Sequence, residues 1–368
     1  MSTIPARTVM AGSPSNAEAQ AWLLAQYDYM AARLGTATDK SGGAFFKADS
    51  GSVAFSKQSN TTAQLKAGTW VDVGGSMLFF SAATSITMPA LTAGTDYAIY
   101  ACADGTVRAD ASFTAPSGYT TANSRKIGGF HYSPGGHSGS PGGGNSTAQI
   151  NEYSFWDLKF RPACADPRGM TLVAGSFWSD IYLLGVDHQI NGSSKFAVTI
   201  ADGSSPPKIP PKFGGNGSTA YGSLNWWEAA EVGQSFGKRL PTYDQFAALA
   251  YGTTENSSIG SDPGATSWAT AYVSKWGVNQ ASGVLWTWGA EFSYRQDGSA
   301  TPWAWRNNTG NRGQLYLYSD IGLVASLFGG AWGVAANSGS RASTWSYSPW
   351  VSDGNIGARL VCDHLVSE

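Results

Sequence analysis

Only one stretch of this chain carries a sustained helical period, and that removes helical bundles and helical repeats from consideration at once. Ser15 and Glu18 form a capping box, Gly35 suits the residue after a helix, and Leu23, Tyr27, Met30 and Leu34 recur at spacings of four, three and four. This is a narrow seam of the a/d kind. Nothing nearby is patterned to cover it, so it is expected to pack against copies of itself. Residues 1–43 therefore read as a short helical segment for oligomerisation. No period of 20–50 residues follows.

From Ala44 to Tyr153 the texture is one of short β runs. Ser52-Val53-Ala54-Phe55 alternates. Trp70–Val73, Gly74-Gly75 and Met77–Phe80 read as a hairpin with a two-residue turn, and Asp96–Ala101, Asp104-Gly105 and Thr106–Arg108 as another. Strands at this spacing predict a β-sandwich over 44–167. Ser133–Ser146, SPGGHSGSPGGGNS, reads as a flexible loop too rich in glycine to pack. His131 and His137 flank or enter it without the further ligands a metal needs.

From 168 to 368 the chain becomes loop-rich, with much Gly and Trp. Two short helices are legible, Trp226–Gly233 and a second over Thr242–Ala250 with Thr242 as N-cap after Pro241. The fold class is therefore mainly β with an α+β C-terminal domain. The aromatic fraction of 13% supplies ample core for two or three domains in 368 residues and excludes disorder, although only 13% of residues are charged. A net charge of −2 gives no electrostatic reason to bind nucleic acid or an anionic membrane. No run approaches the ~18 apolar residues of a membrane span, and the first residues, MSTIPARTVMAGSPSN, have no apolar core of a secretory signal. Cys102, Cys164 and Cys362 are odd in number and far apart. They suggest buried small hydrophobes in a reducing compartment and no disulfide framework.

Four segments of the C-terminal part occur in a telling order: Gly237–Thr242 before a short helix, Gly283–Gly289 (GVLWTWG), Phe328–Trp332 (FGGAW) and Ile356–Val361 (IGARLV). Each sets a bulky side chain beside a small residue or a turn, as a loop-rich domain requires. The order resembles that of C-type lectin-like domains of the formylglycine-generating-enzyme type. Further segments, TMPALTAGTDYAIY, NEYSFWDLKFRPA, DPRGMTLVAGSFW and VCDHL, narrow the likeness. From about Ala44 to the C-terminus the chain resembles the major tropism determinants of bacteriophage, receptor-binding tail proteins diversified by a retroelement. The likeness stops at 1–43, where that family has a β-prism and this chain has the helical seam.

The resemblance implies a homotrimer at the tip of a tail fibre on the virion, held by other tail-fibre proteins and binding a bacterial surface receptor, protein or glycan. It makes 1–43 the segment of trimerisation and attachment and places the diversified segment at 330–361. Its variable positions fall on Ala331, Gly333, Ala335, Asn337, Thr344, Ser346, Tyr347, Val351, Asp353, Asn355, Ile356 and Leu360, with Trp332, Ser338–Arg341, Trp345, Pro349 and Gly357–Arg359 as scaffold. Many of the twelve alternate with scaffold residues, as outward and inward residues alternate along extended chain, so Thr344 and Ser346 are expected to face out while Trp345 holds the backbone. The resemblance also implies diversification by replacement of adenines in AAY-type codons, which can then never encode Lys, Glu, Gln, Trp or Met, and none of these occupies the twelve positions.

Two other readings stand beside this one. A cellular variable protein would be displayed for ligand binding by the same surface. A lectin-fold oxidase would need a reactive cysteine pair or a three-histidine iron site. The C-terminal part holds Cys362, with Cys164 just before it, and only His188 and His364, so neither constellation is expected. Asp187-His188 and Asp363-His364 are sequence neighbours that point to opposite faces of a strand. No catalytic residue and no cofactor is assigned. Glu291 is a weak candidate for a structural divalent cation.

Overall fold

The computed structural model describes residues 44–137, 139–295, 303–306, 313–317 and 322–365. The helical seam of 15–35 lies outside them. The first half comprises Phe45–Phe46 (β1), Phe55–Lys57 (β2), Ala63–Leu65 (β3), Thr69–Val73 (β4), Ser76–Phe80 (β5), Thr84–Thr87 (β6), Thr95–Cys102 (β7), Val107–Asp110 (β8), Ser124–Ser133 (β9), Gln149–Ile150 (β10) and Trp156–Asp157 (β11). A small sheet runs β1-β4-β5, and a large one runs β10-β9-β7-β8-β6-β3-β2 with β11 also on β9. Both predicted hairpins form. Val73 pairs with Ser76 across Gly74 and Gly75, whose φ values of 60° and 87° suit the turn that matches strand twist. Ala101 pairs with Val107 across the Asp104-Gly105 turn. Phe45, Val71, Val73 and Phe80 of the small sheet share one core with Phe55, Leu65, Ile99, Ile127 and Phe130 of the large one. Each fully buried side chain of this size contributes about 1.5–3 kcal/mol.

The 133–146 loop differs from expectation. Its described residues pack against the C-terminal half: the Gly143 N–H donates to the Gly252 carbonyl (2.9 Å), the Gly144 N–H to Thr270 (2.8 Å), and the Trp268 indole to the Asn145 carbonyl (3.0 Å). Glycine permits this closeness. A Cβ at Gly135 would lie 2.2 Å from Trp268 Nε1 and 2.0 Å from the Asn145 carbonyl oxygen.

The second half comprises Met170–Val173 (β12), Phe177–Asp180 (β13), His188–Asn191 (α1), Trp226–Ser235 (α2), Tyr243–Leu249 (α3), Trp286–Arg295 (β14), Ala304–Arg306 (β15), Leu315–Leu317 (β16), Gly322–Phe328 (β17), Ser343–Tyr347 (β18), Ile356–Gly357 (β19) and Val361–Asp363 (β20). One sheet runs β12-β13-β20 and the other β15-β16-β18-β17-β14-β19. Both predicted helices are present. Thr242 caps α3 in a capping box with Gln245, and Asn225 caps α2 in another with Glu228. The C-type lectin-like fold implied by the motif order is the fold observed.

Three buried polar contacts fix this body. The Arg359 guanidinium, fully buried, donates to the carbonyls of Asp180, Ile181, Asn279 and Gln280 at 2.6–3.0 Å. Lys238 Nζ lies 2.6 Å from Asp180 Oδ1 and donates to Ser193 Oγ at 2.8 Å. His131 of β9 spans from Asp96 in the first half to Tyr182 in the second. Among the described residues no helix is long and apolar enough to cross a membrane.

Candidate functional site

The segment 330–361 wraps around one short piece of chain, residues 284–286. Ala331 bridges Val284 in parallel, and Ile356 of β19 pairs in parallel with Trp286 of β14. The two stretches that follow Ala331 and precede Ile356 are thus both anchored on 284–286.

The first stretch, 333–337, is a short 3-10 turn ending at Asn337. Gly333, Ala335 and Ala336 are exposed and Asn337 is half-buried. It is held at its base by Trp332. The Trp332 N–H donates to the Val284 carbonyl (2.8 Å), and the Trp332 carbonyl accepts from Gly260 N–H (3.1 Å) and Ser258 Oγ (2.7 Å). Behind it, Ser338 and Ser340 are buried, and Glu255 accepts from Ser340 N–H and Oγ at 2.9 and 2.7 Å. Ala335 takes φ 51°, a left-handed conformation that costs a non-glycine residue about 1 kcal/mol.

The second stretch, 346–355, leaves the end of β18 and turns back to β19. Ser346, Tyr347, Val351 and Asn355 are half-buried and Asp353 is exposed. Its main chain is pinned at three points: the Pro349 carbonyl accepts from Trp226 N–H (3.1 Å), the Asp353 carbonyl from Gly203 N–H (3.0 Å), and the Asn355 carbonyl from Trp286 N–H (3.0 Å). Burial, together with the nearby charge of Asp353, raises the Tyr347 hydroxyl above its ordinary pKa, so it remains a neutral donor and acceptor.

Four of the twelve positions do not face out. Ala331, Ile356 and Leu360 lie in the core with Trp286 and Trp288. Thr344 is 2% exposed, contrary to expectation, and Trp345 beside it is half-buried, its indole donating to Ser343 Oγ at 3.1 Å. Beside it β16 runs parallel to β18 with Tyr316 opposite Thr344, and the Thr344 hydroxyl lies 3.5 Å from the Tyr316 carbonyl and 2.7 Å from the Ser346 hydroxyl.

Sequence reasoning also missed Trp350. It stands at the tip of the Ser348–Val351 turn and is 62% exposed. It belongs neither to the twelve positions nor to the scaffold, and the only signal was a Pro-Trp pair with no apolar period around it. Close by in the fold, Trp226, Trp227 and Phe292 form a tilted aromatic cluster with centroids 4.4–5.8 Å apart; Trp227 and Phe292 are partly exposed.

Glu291 is engaged as a helix cap. One oxygen accepts from the Tyr243 N–H at the start of α3 and the other from Ser326 Oγ (2.9 Å). Asp187 and His188 stand at the start of α1 and not in a strand as expected, and the Asp187 side chain makes no capping bond. His188 Nε2 meets the Lys208 carbonyl (2.7 Å), His364 Nδ1 accepts from Trp178 Nε1 (2.9 Å), and Asp363 pairs with Arg239 (2.6 Å). His137 pairs with Glu152 at 3.0 Å.

The chain is 56% identical over 334 residues to the tail fiber receptor-binding protein of Bordetella phage BPP-1, with 88% of this chain and 86% of that one covered. The chain belongs to the major tropism determinant family. The model of that family's second domain matches residues 53–157. Among solved major tropism determinants, the M1 variant superposes with a TM-score of 0.80 at 57% identity, covering 89% of this chain and 87% of its own. The U1 variant gives 0.79 at 56%, covering 88% and 87%.

Proposed function

We propose that this chain is a phage tail-fibre receptor-binding protein that sets host tropism by holding a bacterial surface receptor against 333–337 and 346–355. The relative from Bordetella phage BPP-1 carries that activity in its name. The observation that carries the reading is that eight of the proposed variable positions, Gly333, Ala335, Asn337, Ser346, Tyr347, Val351, Asp353 and Asn355, retain solvent exposure on two stretches anchored on 284–286. Ala331, Thr344, Ile356 and Leu360 tune those stretches from beneath.

Recognition here works by contact area. Tyr347 and Trp350 supply rigid rings, and Ser, Asn and Asp supply adaptable hydrogen bonds around them. No step of covalent chemistry is assigned. The protein acts as a homotrimer on the virion, at the tip of the tail fibre. Several copies engaging one cell raise avidity by roughly 10²–10⁴-fold where geometry allows, so modest single-site affinity suffices.

The test moves the eight residues, with Trp350, from a sibling protein of different host range onto this chain. Binding is then measured to cells of both hosts. Transfer of binding to the sibling's host supports the reading. A folded chimera that keeps its original host with undiminished affinity overturns it.

A further inference from the structure

The segment joining the two halves runs antiparallel to the last strand. Pro162 bridges His364, the Ala163 N–H donates to the Asp363 carbonyl (2.9 Å), and the Leu365 N–H donates to the Arg161 carbonyl (2.8 Å). The pairing ends there, because Val361 exchanges both its backbone bonds with Arg239. Cys164 stands beside Cys362 at that point: its N–H donates to Cys362 Sγ at 3.1 Å, while its thiol reaches the Asp166 carbonyl (3.3 Å) and lies 3.6 Å from Met170 Sδ. The two thiols are close enough to perturb each other's titration, and rotation about the Cys164 side chain turns one toward the other. Both thiols are free and 3% exposed, and Cys102 is buried elsewhere, in β7.

We propose that Cys164 and Cys362 form an oxidisable pair whose disulfide closes the whole C-terminal body into a covalent ring. The two residues are 198 positions apart and enclose all of 168–361. The inference rests on the cysteine geometry alone and does not depend on the receptor reading.

The environment sorts the two thiols into roles. Hydrogen bonding from Cys164, with the ammonium of Lys238 nearby, holds the Cys362 thiol below its ordinary pKa, while the same contact and burial push Cys164 up. Cys362, whose Sγ accepts the Cys164 N–H, is assigned as the nucleophile and Cys164 as the resolving thiol. With a peroxide as oxidant, the Cys362 thiolate attacks one peroxide oxygen and the O–O bond breaks. Hydrogen peroxide leaves hydroxide and a Cys362 sulfenic acid. The Cys164 sulfur then attacks Cys362 Sγ, the S–O bond breaks, and water departs carrying the Cys164 proton. Two thiol sulfurs are oxidised by two electrons in all, and one peroxide is reduced. Burial selects for an oxidant little larger than water. The ring would close after the protein leaves the reducing compartment in which it folds.

Full-length reduced protein is treated with one equivalent of hydrogen peroxide, alkylated while unfolded, and digested without reductant. The expected result is a Cys164–Cys362 cross-linked peptide about 2 Da lighter than its two thiol components, with Cys102 fully alkylated. Tm should rise by about 5 °C or more, reversibly with dithiothreitol, because a long loop is closed in the unfolded chain. Cys164→Ser and Cys362→Ser should each lose both the cross-link and the rise. The proposal is overturned if both cysteines remain alkylatable, if Cys362 is driven to sulfinic acid beside a free Cys164, or if the cross-link forms with no gain in Tm. The comparison of oxidised with reduced wild-type protein keeps the test decisive even if a serine variant folds poorly.

Discussion

His131 Nε2 and Tyr182 Oη lie 2.9 Å apart, joining a strand of the first sheet pair to the lectin-like body. Asp96 Oδ1, 2.9 Å from His131 Nδ1 and 3.0 Å from the donating Gly169 N–H, completes the link. The two halves therefore share a buried polar hinge point as well as the glycine-rich loop docked at 252–271. His131→Phe keeps most of the volume but strands the Tyr182 hydroxyl. It should cost about 1–3 kcal/mol in denaturant unfolding. A cost below a few tenths would mean that water or a rearranged Asp96 replaces the imidazole.

Arg359→Met should destabilise more, by roughly 3–5 kcal/mol, because four buried carbonyls each lose a guanidinium bond at once, although Asp180 keeps the Ser179 hydroxyl and Ile181 the Asn279 N–H. Arg359→Lys should recover only part of this, since an ammonium cannot reproduce the fork. Calorimetric Tm values of both variants check the ranking.

Within 330–361, sensitivity should follow burial. Leu360→Ala, in the core against Gly233, should cost about 3 kcal/mol. Thr344→Ala should cost about 1–2 kcal/mol, losing a buried methyl and a 2.7 Å contact with the Ser346 hydroxyl. Ala335→Ser, on the exposed turn, should stay within about 0.5 kcal/mol. Equal losses in chemical denaturation across the three would contradict the described packing.

Trp350→Ala and Tyr347→Ala should each weaken binding to receptor-bearing cells about tenfold or more, while Tm stays within about 2 °C for Trp350, which is largely solvated. Wild-type affinity in both variants, by titration on whole cells, would place the energetic centre elsewhere on the surface.

Asp104 predicts an acid limb. Hydrogen bonds from the Tyr119 hydroxyl, the Thr106 N–H and the Thr106 hydroxyl lower its pKa to about 2, from an ordinary 3.8. The native state thus favours the carboxylate. That contribution is complete above pH 3.8 and is lost as pH falls through about 2. Tm measured against pH should therefore fall less steeply between pH 4 and 2 in Asp104→Asn than in the parent.

The sequence was legible wherever the deciding contacts are local. The Gly74-Gly75 turn, the Thr242 cap and the order of the four C-terminal motifs each depend on residues within a few positions of one another. Apart from the exposed Trp350, the errors concern partners far away in the chain. The glycine-rich loop packs because 252–271 offers it carbonyls and an indole. Thr344 faces a neighbour, Tyr316 of β16, that is 28 positions away. Cys164 and Cys362 meet because the linker lies along the last strand. Alternation along β18 identifies two faces, but only what packs over each face decides which of them is wet.

The contacts that pin 333–337 and 346–355 at their bases run largely from amide to carbonyl: Trp332 to Val284, Gly260 to Trp332, Trp226 to Pro349, Gly203 to Asp353, Trp286 to Asn355. Bonds of this kind are blind to side-chain identity. If these stretches hold the receptor as proposed, their exposed residues can be exchanged while the same bonds still set the path of the chain. A change of binding preference then need not be a change of fold.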